Sequence, residues 1–291
     1  MLQEVIDVSM KASLHSGRQG SAKHNDRSFL RGLTSGEQEE IAPHIDADMT
    51  NQNSAYVPIG DKSNIEQAEL RAYKNLFHKA VDATNRRYKA QGHPERCRTT
   101  EDLYRAPQTR PEEVILQIGN ADSHVSAKKL KSCYVDYINR LGDWNAKHGK
   151  PMRILSAVLH VDETTPHVHL RRVWVYTDKD GNRRIGQNKA LEAAGVQLPH
   201  PDKPVGRFNN RKMSFDREAR KLWIQVCRDH GIEIDDMPVQ GVRHKDKQAY
   251  MAGQIAELQR KLDKYEQLER NHPKEFVHMR QRDRGMTRFE R

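Results

Sequence analysis

His160-Val161-Asp162-Glu163-Thr164-Thr165-Pro166-His167-Val168-His169 is the stretch from which the rest of the chain is read. An apolar, β-branched run precedes it (Ile154, Leu155, Val158, Leu159), and a run read as alternating follows it (Val168, Leu170, Val173, Trp174, Val175, Tyr176). That pattern predicts strand, short turn, strand. Successive side chains of a strand point to opposite faces, so His167 and His169 share one face, and His160 ends the partner strand across a turn closed by Pro166. The imidazoles of these residues and the Asp162 and Glu163 carboxylates can therefore converge. Imidazole with carboxylate suits Mn, Fe, Co, Ni or Zn. Three protein ligands with open positions form the catalytic pattern, because a structural zinc site is closed by four. A zinc protease would instead carry His-Glu-x-x-His on a helix. The His, Asp, Glu, Pro, His, His positions recur by chance on the order of once in 10⁷ to 10⁸ starts. The bland alternative is a hairpin of surface histidines, but histidines on a hairpin this apolar would still need partners.

The 291 residues suit one large domain or a domain with an extension. Net charge is +10, which favours a polyanion such as nucleic acid. Cys97, Cys133 and Cys227 are odd in number and far apart, which predicts neither a disulfide framework nor a cysteine-type zinc site and fits a reducing compartment. Cys133 and Cys227 fall on apolar helix faces and read as packing residues. There is no apolar run of membrane-spanning length and no signal-peptide core, so the expected location is the cytoplasm.

Outward from the hairpin, Leu2 to Met10 reads as a first strand and Lys11 to Arg31 as a basic, Gly/Ser-rich loop holding Arg18, Lys23, His24, Asn25 and Arg27. Such a loop is either a solvated connector or a cover for a phosphate backbone. Ser54 to Ile59 is a candidate short strand. Asn64 caps a long helix to about Ala90, stopped by Gly92-His93-Pro94. Arg96 to Pro111 reads as loop, Glu113 to Gly119 as strand, and Ser126 starts a second helix ending near Gly149. Asp180-Gly181 signals a tight turn. Gly186 to Met213 reads as loop, with a basic cluster of Arg207, Arg211 and Lys212, and Ser214 caps a third helix ending at Gly231. From about His244, Met251, Ile255, Leu258, Leu262 and Tyr265 repeat at heptad spacing as far as Pro273, either as a helix packed on its own domain or as a short homodimer coil. A basic tail follows. The sum is an α+β chain with an antiparallel sheet covered on one face by helices.

Two segments together resemble the Mob/Pre (MobV) plasmid mobilisation relaxases, within the HUH endonucleases. The hallmark is similar to His160-x-Asp162-Glu163-x-x-Pro166-His167-x-His169. The family's N-terminal motif resembles Lys23-His24-Asn25-Asp26-Arg27, and its middle motif resembles Ile45-Asp46 with Asn53. The likeness spans about Val5 to Tyr176. It implies a five-stranded antiparallel sheet flanked by helices, assigned to residues 1–243; the heptad spacing and the charge of the last third separately predict a helical extension over 244–272 and a basic tail over 273–291. It implies metal-dependent nicking and rejoining of one strand of plasmid DNA, single-stranded or supercoiled, at an origin of transfer, through a covalent protein–DNA intermediate. A conjugative coupling protein is a further expected partner. The divalent metal would be manganese, with magnesium or another ion as alternatives. By the family's pattern His160, His167 and His169 ligate the metal, Glu163 is a ligand or base beside it, and His24 is the nucleophile. Asn25, Arg27 and Asn53 would bind DNA around the cut, with Arg18 and Lys23 adding backbone contacts. Some relatives carry a tyrosine directly after the middle-motif asparagine. Ser54 stands there in this chain and Tyr56 lies two residues on, which weakens a tyrosine mechanism and leaves it open.

Chemistry supports His24 separately. An ordinary histidine, with a pKa of about 6.5, is largely neutral at pH 7, whereas tyrosine at about 10 must first lose its proton. Attack by nitrogen leaves a phosphoramidate, labile enough to return the strand to a 3′-hydroxyl. Two other functions compete: a DNA-binding regulator or origin-recognition protein that does not cleave, and a metallohydrolase for a small phosphate ester, which the basic charge disfavours.

Overall fold

The computed structural model describes residues 9–18, 20–235 and 259–260. Its strands, in chain order, are β1 (Ala12–Gly17), β2 (Ser54–Tyr56), β3 (Glu112–Ile118), β4 (Met152–His160), β5 (His167–Thr177) and β6 (Arg183–Ile185). They pair antiparallel in the order β1-β3-β5-β4-β2, with β6 added to the far end of β5. The quoted hairpin is thus β4–β5, and β5 is the central strand. The helices are α1 (Ala22–Asn25), α2 (Ser35–Ile41), α3 (Ile65–Ala90), α4 (Thr100–Arg105), α5 (Ala127–Lys147), α6 (Gln187–Ala193) and α7 (Arg211–Asp229). The architecture is α+β, an antiparallel sheet flanked by helices, as the residue pattern and the resemblance both imply. No helix among the described residues is long and apolar enough to cross a membrane.

Helices cover both faces of the sheet rather than one. On the first face, α5, α6 and α7 (Leu130, Tyr137, Leu191, Trp223) pack on Val114, Leu116, Leu159, Val168, Leu170 and Trp174. On the second, α3 and α4 (Tyr73, Phe77, Tyr104) pack on Leu155, Val173 and Val175. Every residue of β5 from His167 to Val175 is accordingly buried, including the positions that alternation would give to solvent. Arg171 on the second face is held by Glu69 of α3, with Nε 2.8 Å from Oε1. A buried cation survives only when paired in this way.

The main departures from the sequence reading lie in the polar segments. Residues 1–8 are outside the described part, and Met10 makes only an isolated bridge to Ile234. The edge strand is β1, inside the segment expected to be a loop; its register, Ala12 opposite Ile118 through Gly17 opposite Glu113, comes from backbone pairing that Ser13, His15 and Ser16 do not advertise. The stretch 96–111 contains α4, whose start is a capping box of Thr99 and Asp102. The stretch 186–213 contains α6, and α7 begins at Arg211, capped by Asn210 rather than Ser214. The long helices α3 and α5 start where expected, with Asn64 and Ser126 accepting from the amides of Gln67 and Lys129. Cys133 and Cys227 are free and buried, in keeping with a packing role. Apart from Gln259 and Arg260, the heptad segment and the basic tail lie outside the described residues.

One buried network ties β3, β5 and α7 together. The Arg172 guanidinium lies against the paired rings of Trp174 and Phe215, 5.0 and 5.1 Å from their centroids. The Glu112 carboxylate accepts from Arg172 Nε and Trp174 Nε1, both at 2.8 Å, and faces Lys212 Nζ at 2.9 Å. Burial opposes its ionisation, but Arg172 and Lys212 outweigh that and bring it down to about 2. A folded-state value below the unfolded one stabilises fully above the unfolded value of about 4.5 and is lost as pH falls toward 2. Thermal melts should show stability declining across that window, by about 3 kcal/mol from this group. Glu112→Gln should be less stable at pH 7 and decline less steeply; a parallel decline would assign the acid sensitivity elsewhere.

Candidate functional site

The β4–β5 register sets the site. His160 lies directly opposite His167, and Val158 opposite His169, so all three histidines share the face that also carries Arg171. On β3, Gln117 pairs with His167 and Ile115 with His169, which puts Glu113, two residues along, on the same face. The chain leaving β1 crosses this end of the face as α1 and brings His24 over it. The His24 ring centroid is 5.4 Å from that of His160 and 5.3 Å from that of His169. Its Nε2 is 3.6 Å from Glu163 Oε1, and 34% of the side chain remains open to solvent.

Hydrogen bonds define the ring tautomers. His167 Nδ1 is 2.9 Å from the Thr165 carbonyl and His169 Nδ1 is 2.9 Å from Glu113 Oε1, so both Nδ1 atoms donate. Each neutral ring then presents Nε2 as a lone pair, and these two atoms face each other at 3.0 Å. Two lone pairs aimed at one point repel unless a proton or a cation lies between them. His160, fully buried, donates from Nε2 to the Asn25 carbonyl at 2.9 Å, which leaves Nδ1 an acceptor facing Arg27 Nη2 at 3.2 Å. Among the described residues, two overlapping groups have the spacing to hold a metal ion: His24, His160 and His169, and His160, Glu163 and His167, with ligand atoms in each within 4.8 Å of one another. The expected triad is thus spread over both groups, joined by Glu163 and His24. The donor set of imidazoles and one carboxylate fits a borderline divalent ion such as manganese.

Electrostatics keep His24 and His167 in their lone-pair form. Burial, then the Arg27 charge and the neighbouring rings, lower His24 to about 4. Burial and His169 lower His167 to about 4 as well. Burial opposes ionisation of Glu163, yet the Arg27 hydrogen bond and the Arg27 charge beside it hold the carboxylate well below its ordinary range. Glu163 is therefore an anion at working pH and a weak base.

Three residues expected to contact DNA are instead committed inside the protein. Arg27 is 4% exposed and donates Nε and Nη2 to Asp162 at 2.9 and 2.6 Å, and Nη2 to Glu163 at 2.9 Å. Asn25 is buried and donates to Glu113 Oε1 at 2.8 Å. Asn53 donates to Asp162 Oδ2 at 2.7 Å and accepts from the Val161 amide. Asp162 also accepts from Thr50 Oγ1 at 3.0 Å. Its oxygens are therefore engaged by Arg27, Asn53 and Thr50, and it braces the turn rather than joining either metal-spaced group. The middle motif serves the same turn, with Ile45 bridging Glu163 and the Asp46 amide donating to the Asp162 carbonyl. Arg27 adopts a left-handed backbone, φ 55°, uncommon for a residue with a side chain and kept here by its buried ion pairs. Of the remaining two, Lys23 is exposed near Glu66, and Arg18 donates to the carbonyls of Pro107 and Gln108. Tyr56 pairs with Ala157, which lies opposite Leu170 of the first face, and this turns it to the face opposite the histidines.

Glu113 joins the site through sheet pairing, and its signal in the sequence is a carboxylate at the head of Val114-Ile115-Leu116. Burial opposes its ionisation, but His169 and Asn25 hold it below the ordinary range. Gly20 lies against it: a Cβ there would meet Glu113 Oε2 at 1.5 Å. If His169 ligates a divalent ion, Glu113→Gln should lower manganese affinity about 10- to 100-fold by calorimetric titration, because the partner that orients a ligating ring tunes its affinity. Unchanged affinity would remove His169 from the ligand set. A larger cavity, about 680 Å³, lies elsewhere, between α3, the 95–98 turn and β6. The cleft beside Glu163 and His167 is about 290 Å³ and includes His44 and Gln117.

No protein-family profile matches the chain, and no curated protein matches it. Among solved structures, the chain is similar to the MobM relaxase domain (MOBV; Mob_Pre) bound to plasmid pMV158 oriT DNA in a manganese-bound crystal structure at pH 6.8, with a TM-score of 0.46 and 13% identity over 84% of this chain and 98% of that one. A second structure of that domain, at pH 4.6, gives a TM-score of 0.46 and 14% identity over 84% and 99%. The likeness is one of backbone outline over most of both chains, and it gives no individual residue a role.

Proposed function

We propose that this chain is a metal-dependent enzyme that cuts and rejoins one strand of DNA at a plasmid origin of transfer, through a covalent bond to His24. The observation that carries this reading is the placement of His24: a neutral, partly open imidazole on the same face as His160, His167 and His169, beside an ionised Glu163. The net charge of +10 suits a nucleic acid substrate.

The His24 ring nitrogen bears a lone pair and attacks the phosphorus of one phosphodiester. A P–N bond forms, the P–O3′ bond breaks, and the departing 3′-oxygen takes a proton from solvent. The ring gains positive charge during attack, and Glu163 offsets that charge and orients the ring, acting as a fixed anion rather than a proton acceptor. A divalent ion held by His160, His167, His169 and Glu163 would draw charge from the phosphate oxygens. Reversal by a 3′-hydroxyl attacking the phosphoramidate restores the strand and frees His24. Arg27, Asp162, Asn53 and Thr50 keep the turn that carries Glu163 in place.

The test is peptide mapping by mass spectrometry, after the chain is incubated with manganese and a supercoiled plasmid carrying its origin. A nucleotide on the peptide containing His24 is expected; a nucleotide on Tyr56, or no adduct despite nicking, overturns the assignment. A second reading has one observation in its favour, the metal-spaced group of His24, His160 and His169. If His24 is a ligand, the chain is a non-cleaving origin-binding protein, with salt-sensitive binding and no nicking in any divalent metal.

A further inference from the structure

We infer that the hairpin tip at Arg207 and Phe208 is a stacking site for an unpaired base of single-stranded DNA; the inference rests on DNA being the substrate. Phe208 is 76% exposed, more than any other large apolar residue among those described. It occupies the second tip position of a tight turn closed on both sides, since the Gly206 amide donates to the Asn209 carbonyl at 3.0 Å and the Asn209 amide donates to the Gly206 carbonyl at 3.1 Å. Tight turns favour Gly, Asn or Asp at such positions, and an aromatic side chain gains nothing there by burial.

The tip is rigidly held. Asn209 is buried, donates from Nδ2 to the carbonyls of His200, Lys203 and Pro204, and accepts from the His200 amide. Asn210 donates to the carbonyls of Gly206 and Arg207 while capping α7. The ring is therefore presented to solvent from a fixed base, and little ordering entropy is lost when a flat partner lies on it. The Arg207 guanidinium is 5.3 Å from the ring centroid, which places a cation for the phosphate next to the stacking face. An aromatic ring with an adjacent cation on a basic surface is the combination that holds unpaired bases with little sequence preference.

The tip leads directly into α7, whose first turn reaches the edge next to the site. Lys212, at the start of α7, donates to Ser16 Oγ near the end of the edge strand β1 at 2.8 Å. The chain leaving β1 there runs into α1 and His24.

The experiment uses the full chain, a fluorescein-labelled dT25 oligonucleotide and a mixed-sequence duplex of equal length. Removing one base–aromatic stack costs about 1–3 kcal/mol, so Phe208→Ala should weaken single-strand binding by roughly 5- to 150-fold while duplex binding changes less than about twofold. Phe208→Trp should retain single-strand binding, and its fluorescence should be quenched by dT25 well beyond the wild type, whose Trp174 and Trp223 are buried and whose Trp144 is half-buried. Equal binding by Phe208→Ala, equal losses on both DNAs, or no added quenching would overturn the inference. A wild type that nicks plasmid while Phe208→Ala binds dT25 normally sinks the stacking site alone. A wild type that binds no single strand sinks both this site and the strand-transfer reading.

Discussion

His24→Ala is expected to abolish the covalent protein–DNA adduct and to cut nicking of a supercoiled origin plasmid by at least about 10³-fold, because the residue that forms the new bond is gone and no neighbour can replace it. The variant should fold, since His24 is partly open and its ring hydrogen-bonds weakly, to Arg27 at 3.3 and 3.4 Å. DNA affinity should change only a few-fold, because most of it comes from phosphate contacts spread over a basic surface. Manganese binding measured in parallel decides between the two roles open to this ring. If His24 is the nucleophile, metal affinity is retained while the adduct disappears. If it is a ligand, affinity falls as well, and the wild type forms no adduct. An adduct that persists in His24→Ala would transfer the chemistry to another side chain. Tyr56 is poorly placed for it, because β2 turns that residue away from the histidine face.

Arg27→Ala should be the most destabilising single change in the site. Its guanidinium is buried between Asp162 and Glu163, and removing it leaves the Asp162 carboxylate enclosed without its cation. Breaking a buried pair in this way costs about 3–5 kcal/mol. Thr50 and Asn53 still donate to Asp162, so a loss near about 3 kcal/mol is expected, or roughly 6–12 °C in the midpoint of thermal unfolding. Arg27→Lys should recover only part of the loss, because an ammonium cannot reproduce the paired bonds to Asp162. Arg27→Ala combined with Asp162→Asn should be more stable than Arg27→Ala alone. A different result, an unchanged midpoint with weakened DNA binding, would restore the phosphate-contact role that the sequence reading assigned to Arg27.

The contrast between these residues shows what was legible. The histidine hairpin could be read because strand periodicity is local: spacing alone puts His167 and His169 on one face, and the register then adds His160 opposite His167. The starts of the long helices could be read for the same reason, since capping by Asn64 and Ser126 depends on residues within one turn. The edge strand β1 could not be read, because its partner is 100 residues away and its own side chains are polar. Arg27, Asn25 and Asn53 read as DNA contacts because polar residues on a basic loop usually face solvent, and nothing local reveals the buried carboxylates of Asp162 and Glu113 that take them up.

The amino-acid sequence by itself determined the α+β class, the hairpin and the identity of the groups available for chemistry, because propensity, periodicity and spacing act over a few residues. Tertiary structure alone decided which groups meet. Sheet order brings β3 and Glu113 against His169, the crossing of α1 brings His24 over the histidine face, and the Arg27–Asp162 pair takes up residues that solvent would otherwise have claimed. The physical reason is that burial and long-range pairing, rather than residue type, determine whether a charged side chain spends its hydrogen bonds on the protein or keeps them for a ligand.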